Sequence, residues 1–143
     1  MRVVLDSSVL VAALATPNPA SASRIVLAAA AAGVVRLVVS DDLEAEYRRA
    51  VEYPRVARCA PRVDRQAFVS TLMDTAERIE PEAAAGVVPS DADDDKVMAA
   101  AFGGAAEYVL SLDRHLLDLR RCRGVKVLTP GAFLDVLRAS GFA

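Results

Sequence analysis

The feature that most constrains the fold of this chain is a set of four short apolar runs. Each run is separated from the next by a segment that favours helix or turn. The runs are continuous and rich in β-branched residues, as expected of strands buried on both faces of a sheet. They are RVVL at 2–5, VRLVVS within 34–40, EYVLSL at 107–112 and VKVLT at 125–129. Strands that alternate with helices predict an α/β fold, a three-layer α/β/α sandwich with a central parallel sheet.

Helix boundaries are marked by residues that cap or break helices. Ser7 or Ser8 is expected to begin a helix that runs to about Leu14, and Ser40 to cap one that stops before Pro54. The remaining helices are expected from Ser21 or Ser23 to Gly33, near 64–78, from about 91 to 102, and from Pro130 onward.

Length and composition indicate one globular domain. The chain has 143 residues, 54% of them hydrophobic, which suits a single domain over residues 1–143 with its own core. A net charge of −2 gives no overall basic field, which argues against a sequence-specific DNA binder but not against an enzyme that grips phosphates locally. Cys59 and Cys122 have no metal-ligand spacing, and no apolar run is long enough for a membrane span. We therefore expect a soluble cytoplasmic protein with no membrane partner.

Acidic residues follow two of the expected strands. Asp6 comes directly after RVVL, and Asp113 comes just after the strand that contains YVLSL. In an open α/β sheet, ligands bind outside the carboxyl ends of the strands, and parallel strands bring those ends to one edge. We therefore expect both carboxylates at the same edge, with Glu46 on the helix after the second strand.

The stretch PSDADDDKVMAAAF, at 89–102, concentrates four acids at the start of an expected helix. They are Asp91, Asp93, Asp94 and Asp95. A helix start with Ser90 as cap explains one or two of them, because acids in a first turn favour the helix dipole. A calcium loop is excluded, since Lys96 stands where that loop needs glycine and Phe102 where it needs glutamate.

Helical geometry allows only one or two of these acids to join Asp6 and Asp113. Asp91 and Asp94 can share a face, whereas Asp94 and Asp95 point in different directions. Carboxylates that converge from separate segments need a cation to offset their repulsion. Oxygen ligands without a histidine or cysteine cluster suit Mg²⁺ or Mn²⁺, which typically support phosphoryl chemistry.

Five motifs in order resemble those of the PIN-domain family, in its branch of ribonuclease toxins from prokaryotic toxin–antitoxin pairs. The motifs cover nearly the whole chain: VVLDSSVLVAAL, SDDLEAEYRRAVEYPRV, SDADDDKVMAAAF, AEYVLSLDRHLL and VKVLTPGAFLDVL. The resemblance implies an acidic catalytic and metal-binding quartet of Asp6, Glu46, Asp94 and Asp113. Asp95 is the alternative for the third place and Glu44 for the second.

Two positions depart from the family pattern. Ser7 and Ser8 replace its usual threonine–asparagine pair, and Ser111 replaces the threonine two residues before the last acid. Each change keeps a hydroxyl that can orient a carboxylate or a water.

The resemblance further implies a Mg²⁺- or Mn²⁺-dependent endoribonuclease that leaves a 5′-phosphate and is controlled by a cognate antitoxin protein. We also expect a homodimer. The alternative is a non-catalytic PIN-like module that binds RNA or protein. Other classes fit less well, because Ser8 stands where a haloacid-dehalogenase phosphatase needs aspartate. Arginines in the middle of the chain form either a solvated helix face or a flank for RNA phosphates: Arg48, Arg49, Arg55, Arg58, Arg62 and Arg65.

Overall fold

The fold is that of a computed structural model, which describes residues 1–83 and 92–141, the side chains of 92–94 excepted. Within these residues, six strands form one sheet in the order β3-β2-β1-β4-β6-β5. They are β1 Arg2–Leu5, β2 Arg36–Val39, β3 Glu77–Arg78, β4 Tyr108–Leu110, β5 Arg121–Cys122 and β6 Val125–Leu128. All neighbouring pairs are parallel except β5 and β6, so the sheet is mixed but mostly parallel.

Eight helices are found in the described parts of the chain. They are α1 Ser7–Ala15, α2 Ala22–Ala31, α3 Asp41–Ala50, α4 Pro54–Ala57, α5 Arg62–Thr75, α6 Ala92–Gly103, α7 Arg114–Leu117 and α8 Pro130–Ala139. Among these, none has the length and apolar character needed to span a membrane.

Helices cover both faces of the sheet, which confirms the predicted three-layer α/β/α sandwich. Helix α2 contacts α1, α5 and α8, whereas α6 packs against β1, β2 and β4. The middle of the sheet is fully enclosed, since Val3, Val4 and Val109 have no exposed surface. Such burial on both faces is the physical reason that the strands read as continuous apolar runs.

Two of the expected helix caps are present and one is not. Ser21 and Ser40 accept hydrogen bonds from backbone N–H groups three residues later, as predicted. The expectation that Ser7 or Ser8 caps α1 is wrong, because Asp6 occupies the N-cap position without a side-chain capping bond. The Ser8 hydroxyl is used instead in the contacts of Asp6.

Short elements at the sheet edges differ from the sequence prediction. The helix expected to reach residue 78 ends at Thr75, because Glu77 and Arg78 pair with β2 as strand β3. At the other edge, β5 and β6 form a hairpin whose turn residues, Arg123 and Gly124, both have positive φ. Two-residue hairpin turns of this kind match the twist of the flanking strands.

Candidate active site

The order of the strands reverses beside Asp6. From β1 the chain proceeds to β2 and β3 on one side, and β4 and β6 lie on the other. A ligand crevice lies at such a point of reversal, outside the carboxyl ends of the strands. Asp6 follows β1 there, and its backbone N–H donates a 2.9 Å hydrogen bond to the Leu110 carbonyl at the end of β4.

The Asp6 carboxylate is buried and held by two hydroxyl groups. It is 5% exposed, and its Oδ2 atom accepts hydrogen bonds from Ser8 Oγ at 2.6 Å and Ser111 Oγ at 2.8 Å. Burial raises the pKa of Asp6 most, the two hydroxyl bonds lower it, and the nearby charge of Asp113 raises it again. The side chain is therefore a desolvated acid with a second acid close by.

The same two hydroxyls also hold the loop after β4. Ser8 Oγ accepts a 3.0 Å hydrogen bond from the Leu112 N–H, and Ser111 Oγ accepts one of 2.9 Å from the Asp113 N–H. Each serine thus joins Asp6 to the segment that carries Asp113. Ser8 and Ser111, whose hydroxyls were expected to orient a carboxylate, both donate to the carboxylate of Asp6.

Asp113 is half-buried at the start of α7. Its Oδ1 atom accepts a 2.9 Å hydrogen bond from the His115 N–H, and it is the N-cap of that helix. Its charge acts on Asp6, so the structure brings these two predicted site residues together. His115 is exposed on the same turn.

Glu46 and Tyr47 lie on α3 beside the first strand. The Tyr47 hydroxyl donates a 2.5 Å hydrogen bond to the carbonyl of Leu5, the residue before Asp6. Burial raises the pKa of Tyr47 well above its ordinary value, and the charges of Asp6 and Glu46 raise it further. Glu46 is partly buried, with its Oε2 atom enclosed. Tyr47 thus lies within the electrostatic reach of both acids.

Glu44, the alternative for the second acid, is engaged elsewhere. Its carboxylate accepts hydrogen bonds from Arg48, at 3.1 Å, and from Arg78 on the edge strand. The bond from Arg78 is the largest of the causes that lower the pKa of Glu44. Two arginine partners make Glu44 a poor candidate for a ligand of a further cation.

Helix α6 is long enough for its first turn to reach the same edge of the sheet. Its last turn lies at the opposite edge, where Arg2 Nε donates to the Gly104 carbonyl at 2.8 Å and the Glu107 N–H donates to the Arg2 carbonyl at 2.9 Å. A helix of twelve residues extends about 18 Å, enough to cross the sheet from there. Asp95 in the first turn is half-buried, and the side chain of Asp94 lies outside the described residues.

A family model described as PIN domain matches residues 2–115, which is well over half of the chain and includes all four predicted acids. The chain belongs to the PIN-domain family. No curated protein was found to match it. The confirmed family resemblance gives the chain a nuclease-like fold, and PIN domains are typically nucleases that use a divalent metal. Strands β5 and β6 and helix α8 follow the matched segment; the strands complete the sheet, and α8 packs against α2.

In this PIN domain, the donor atoms around Asp6 suit a hard cation. The carboxylates of Asp6 and Asp113 and the neighbouring serine hydroxyls offer only oxygen, which Mg²⁺ and Mn²⁺ prefer. A cation would also offset the cost of a buried charge beside a second acid. Among the side chains described, at 1–83 and 95–141, no three His, Cys, Asp or Glu residues lie close enough to hold a metal ion. The predicted ligand Asp94 is not among those side chains.

Sequence reasoning missed the role of Tyr47 in this PIN domain. The sequence gives no sign that its hydroxyl holds the backbone just before Asp6, as the structure shows. A buried tyrosine hydroxyl usually finds a hydrogen-bond partner, but the sequence does not show which group that partner is. Only the partner of its hydroxyl reveals a positioning function.

Proposed function

We propose that this PIN domain is a metal-dependent endoribonuclease that hydrolyses phosphodiester bonds in RNA. The observation that supports it most is the environment of Asp6. The carboxylate of Asp6, a residue that is only 5% exposed, is held by two serine hydroxyls at the carboxyl edge of an α/β sheet, with Asp113 near enough to raise its pKa. A buried acid with a perturbed pKa in such a crevice is typical of a functional site rather than of a structural one.

The acidic quartet would hold the metal. Asp6 and Asp113 come from the ends of β1 and β4, Glu46 from α3 and Asp94 from the first turn of α6. Bound Mg²⁺ or Mn²⁺ supplies the positive charge that activates the attacking water and stabilises the charge developing on the phosphate. Ser8 and Ser111 fix the direction of the Asp6 carboxylate, and Tyr47 fixes the backbone before it.

A toxin function within a toxin–antitoxin pair is part of the same proposal. It is supported by the order of the five sequence motifs, which resembles that branch of the family over nearly the whole chain. The partners would be RNA, a cognate antitoxin protein and a second copy of this chain, in the cytoplasm. Expression of the wild type should then arrest growth, and expression of the variant Asp6→Asn should not.

Cleavage of RNA by purified protein tests the nuclease activity directly. Wild type, Asp6→Asn, Asp94→Asn and Asp113→Asn are compared on the same RNA with Mg²⁺, with Mn²⁺ and with EDTA. We expect metal-dependent cleavage by the wild type. In each variant the cleavage rate should fall by more than about 100-fold, which exceeds the 10–100-fold fall that follows loss of a group that only orients a metal ligand. A matched control is Asp118→Asn, because Asp118 is an exposed acid just past α7.

Equal cleavage by the wild type and all three variants would rule out the proposed nuclease function. RNA binding without cleavage by the wild type, in either metal, would support the alternative of a non-catalytic PIN-like module. Loss of cleavage in Asp118→Asn as well would show that the assay responds to net charge rather than to the site.

A further inference from the structure

The segment that follows Asp113 carries much of the positive charge of the chain. Residues 114–126 include five basic residues and one acidic residue, in a chain whose net charge is −2. The basic residues are all exposed: Arg114, Arg120, Arg121, Arg123 and Lys126. The rest of the chain is therefore net acidic, and this segment forms a local basic surface next to one of the proposed metal ligands.

None of these five side chains forms an ion pair with another side chain that the structure describes. The Arg123 guanidinium lies over the ring of Phe102, 4.6 Å from its centroid, so this arginine has a partner within the fold. We call the other four the basic edge: Arg114, Arg120, Arg121 and Lys126. Their charges are available to an anion that belongs to another molecule.

Arginines in the middle of the chain are, by contrast, held by acids of their own. Arg48 pairs with Glu44 at 3.1 Å. Arg62 and Arg65 both pair with Glu52, at 3.0 Å and 3.2 Å. Because these guanidinium groups already have carboxylate partners, they are poorer candidates for an RNA phosphate than the basic edge is.

Two cations of the basic edge stand directly opposite one another. Arg121 on β5 and Lys126 on β6 are register partners in the antiparallel hairpin. Side chains at such positions share a face of the sheet, and like charges there destabilise the pairing. Lys126 has Tyr108 as its partner on the other side, and β5 is the last strand of the described sheet. No acid in the sheet therefore adjoins this pair of cations to offset their repulsion.

Arginine also stands at two positions whose backbone favours glycine. Arg120 has a φ of 56° and Arg123 a φ of 49°, both in the left-handed region. Side chains with a Cβ atom are disfavoured there, and such conformations are more frequent at functional sites than elsewhere. The basic side chains are thus present despite an unfavourable backbone conformation.

The basic edge adjoins the acidic site through α7 and β6. Asp113 caps α7, and Arg114 is the first residue of that helix. The Ser111 N–H donates a 3.0 Å hydrogen bond to the Leu128 carbonyl at the end of β6. Strand β5 lies next to β6, two strand spacings or about 10 Å from β4. A strand of a few nucleotides is long enough to contact both Asp113 and the basic edge.

We propose that the basic edge binds phosphates of the RNA strand beside the cleavage site. The inference rests on the proposed nuclease function, which identifies the polyanion as RNA. Arginine suits phosphate because its planar guanidinium donates paired N–H groups. A strand that approaches an acidic pocket also needs neighbouring cations to offset the repulsion. A phosphate between Arg121 and Lys126 would relieve the repulsion of these two side chains as well.

Protection of the sheet edge is the structural alternative. Charged side chains on an edge strand prevent it from pairing with the edge of another molecule. That function requires no anion, so loss of a charge would promote self-association and leave RNA affinity unchanged. RNA affinity therefore separates the two explanations.

Binding without cleavage tests the proposal. The parent protein is Asp6→Asn in EDTA, and the probe is a short single-stranded RNA whose dissociation constant is measured by fluorescence anisotropy over a series of salt concentrations. Arg121→Gln should weaken binding about tenfold and reduce the slope of log affinity against log salt by about 0.7, the value for one phosphate contact on a single strand. Arg36→Gln removes the same charge at the amino end of β2, four positions from β5 in the sheet, and should change neither quantity.

Lys126→Glu separates RNA binding from folding. It places an opposite charge across from Arg121, so the Tm should stay the same or rise. RNA affinity should nevertheless fall by more than about tenfold, because a cation is lost and an anion is added. Arg36→Glu makes the same change in net charge and should lose much less affinity. A lower Tm for both Arg121→Gln and Lys126→Glu would show that the fold itself uses these cations, and would overturn the proposal.

The remaining outcomes distinguish this proposal from the nuclease function. If Arg121→Gln and Lys126→Glu bind RNA as tightly as the Arg36 controls do, or if the parent binds no RNA, the proposal is overturned. Unchanged RNA affinity together with lost binding of poly-glutamate would make the basic edge a surface for an acidic protein instead. If the wild type fails to cleave RNA but both losses of affinity are observed, the basic edge stands and the nuclease function is ruled out.

Discussion

Ser111, at the end of β4, donates a 2.8 Å hydrogen bond to Asp6, at the end of β1. The two residues are 105 positions apart in the chain, and the bond joins neighbouring parallel strands at the carboxyl edge of the sheet. Because Ser111 also accepts from the Asp113 N–H, one hydroxyl sets the positions of two of the four proposed ligands.

Removal of the Ser111 hydroxyl should reduce cleavage more than stability. Ser111→Ala leaves the buried Asp6 carboxylate with one hydroxyl donor and raises its pKa further, so we expect about a 10–100-fold fall in kcat/KM. The pH at which activity rises should move upward. Ser111→Thr keeps the hydroxyl and should restore most of the activity. Equal activity of the alanine and wild-type proteins at every pH would contradict a positioning function.

The variant Asp6→Asn should be more stable than the wild type when metal is removed. Burial raises the pKa of Asp6 above its ordinary value of 3.8, so the ionised side chain destabilises the metal-free fold as pH rises through the raised pKa. We expect a higher Tm for Asp6→Asn at pH 7 in EDTA, and no difference below the ordinary pKa. Mn²⁺ should raise the Tm of the wild type more than that of the variant. A higher wild-type Tm in EDTA at pH 7 would refute this view of Asp6.

The two glutamates of α3 should differ sharply in function. Glu46→Gln should lose cleavage by more than about 100-fold, since Glu46 is the proposed ligand. Glu44→Gln should keep full activity and lose only about 0.2–1 kcal/mol of stability, because its partners Arg48 and Arg78 are partly exposed. The lowered pKa of Glu44 stabilises the fold above its ordinary 4.5, so this stability difference should disappear as pH falls through the lowered value. If Glu44→Gln were inactive and Glu46→Gln active, Glu44 rather than Glu46 would be the metal ligand on α3.

Tyr47→Phe should destabilise the protein by about 1–3 kcal/mol. The change leaves the Leu5 carbonyl without the Tyr47 hydroxyl at a site where Tyr47 is only 2% exposed. Chemical denaturation measures the free energy of unfolding. Tyr53→Phe is the matched control, because Tyr53 is 49% exposed and should lose almost nothing. Similar losses in both variants would show that the bond to Leu5 contributes little.

The long elements could be predicted from the sequence because their signals are local. The apolar runs of β1, β2, β4 and β6 and the capping serines Ser21 and Ser40 lie where they were expected. The short strands β3 and β5 were missed. Their two residues form strands only because β2 and β6 offer edges to pair with, and no local pattern reports that.

The sequence by itself determined a PIN domain with acids after strands β1 and β4. Burial on both faces and helix capping each depend on a few neighbouring residues, so their patterns are visible in a short stretch of sequence. The tertiary structure decided which groups serve those acids. Ser8, which was expected to cap a helix, instead donates a hydrogen bond to Asp6. The ion pairs of Glu44 with Arg48 and Arg78 distinguish it from Glu46 as a candidate ligand. Such contacts depend on the order of strands in the sheet, and that order is set by packing of the whole chain rather than by any short stretch of it.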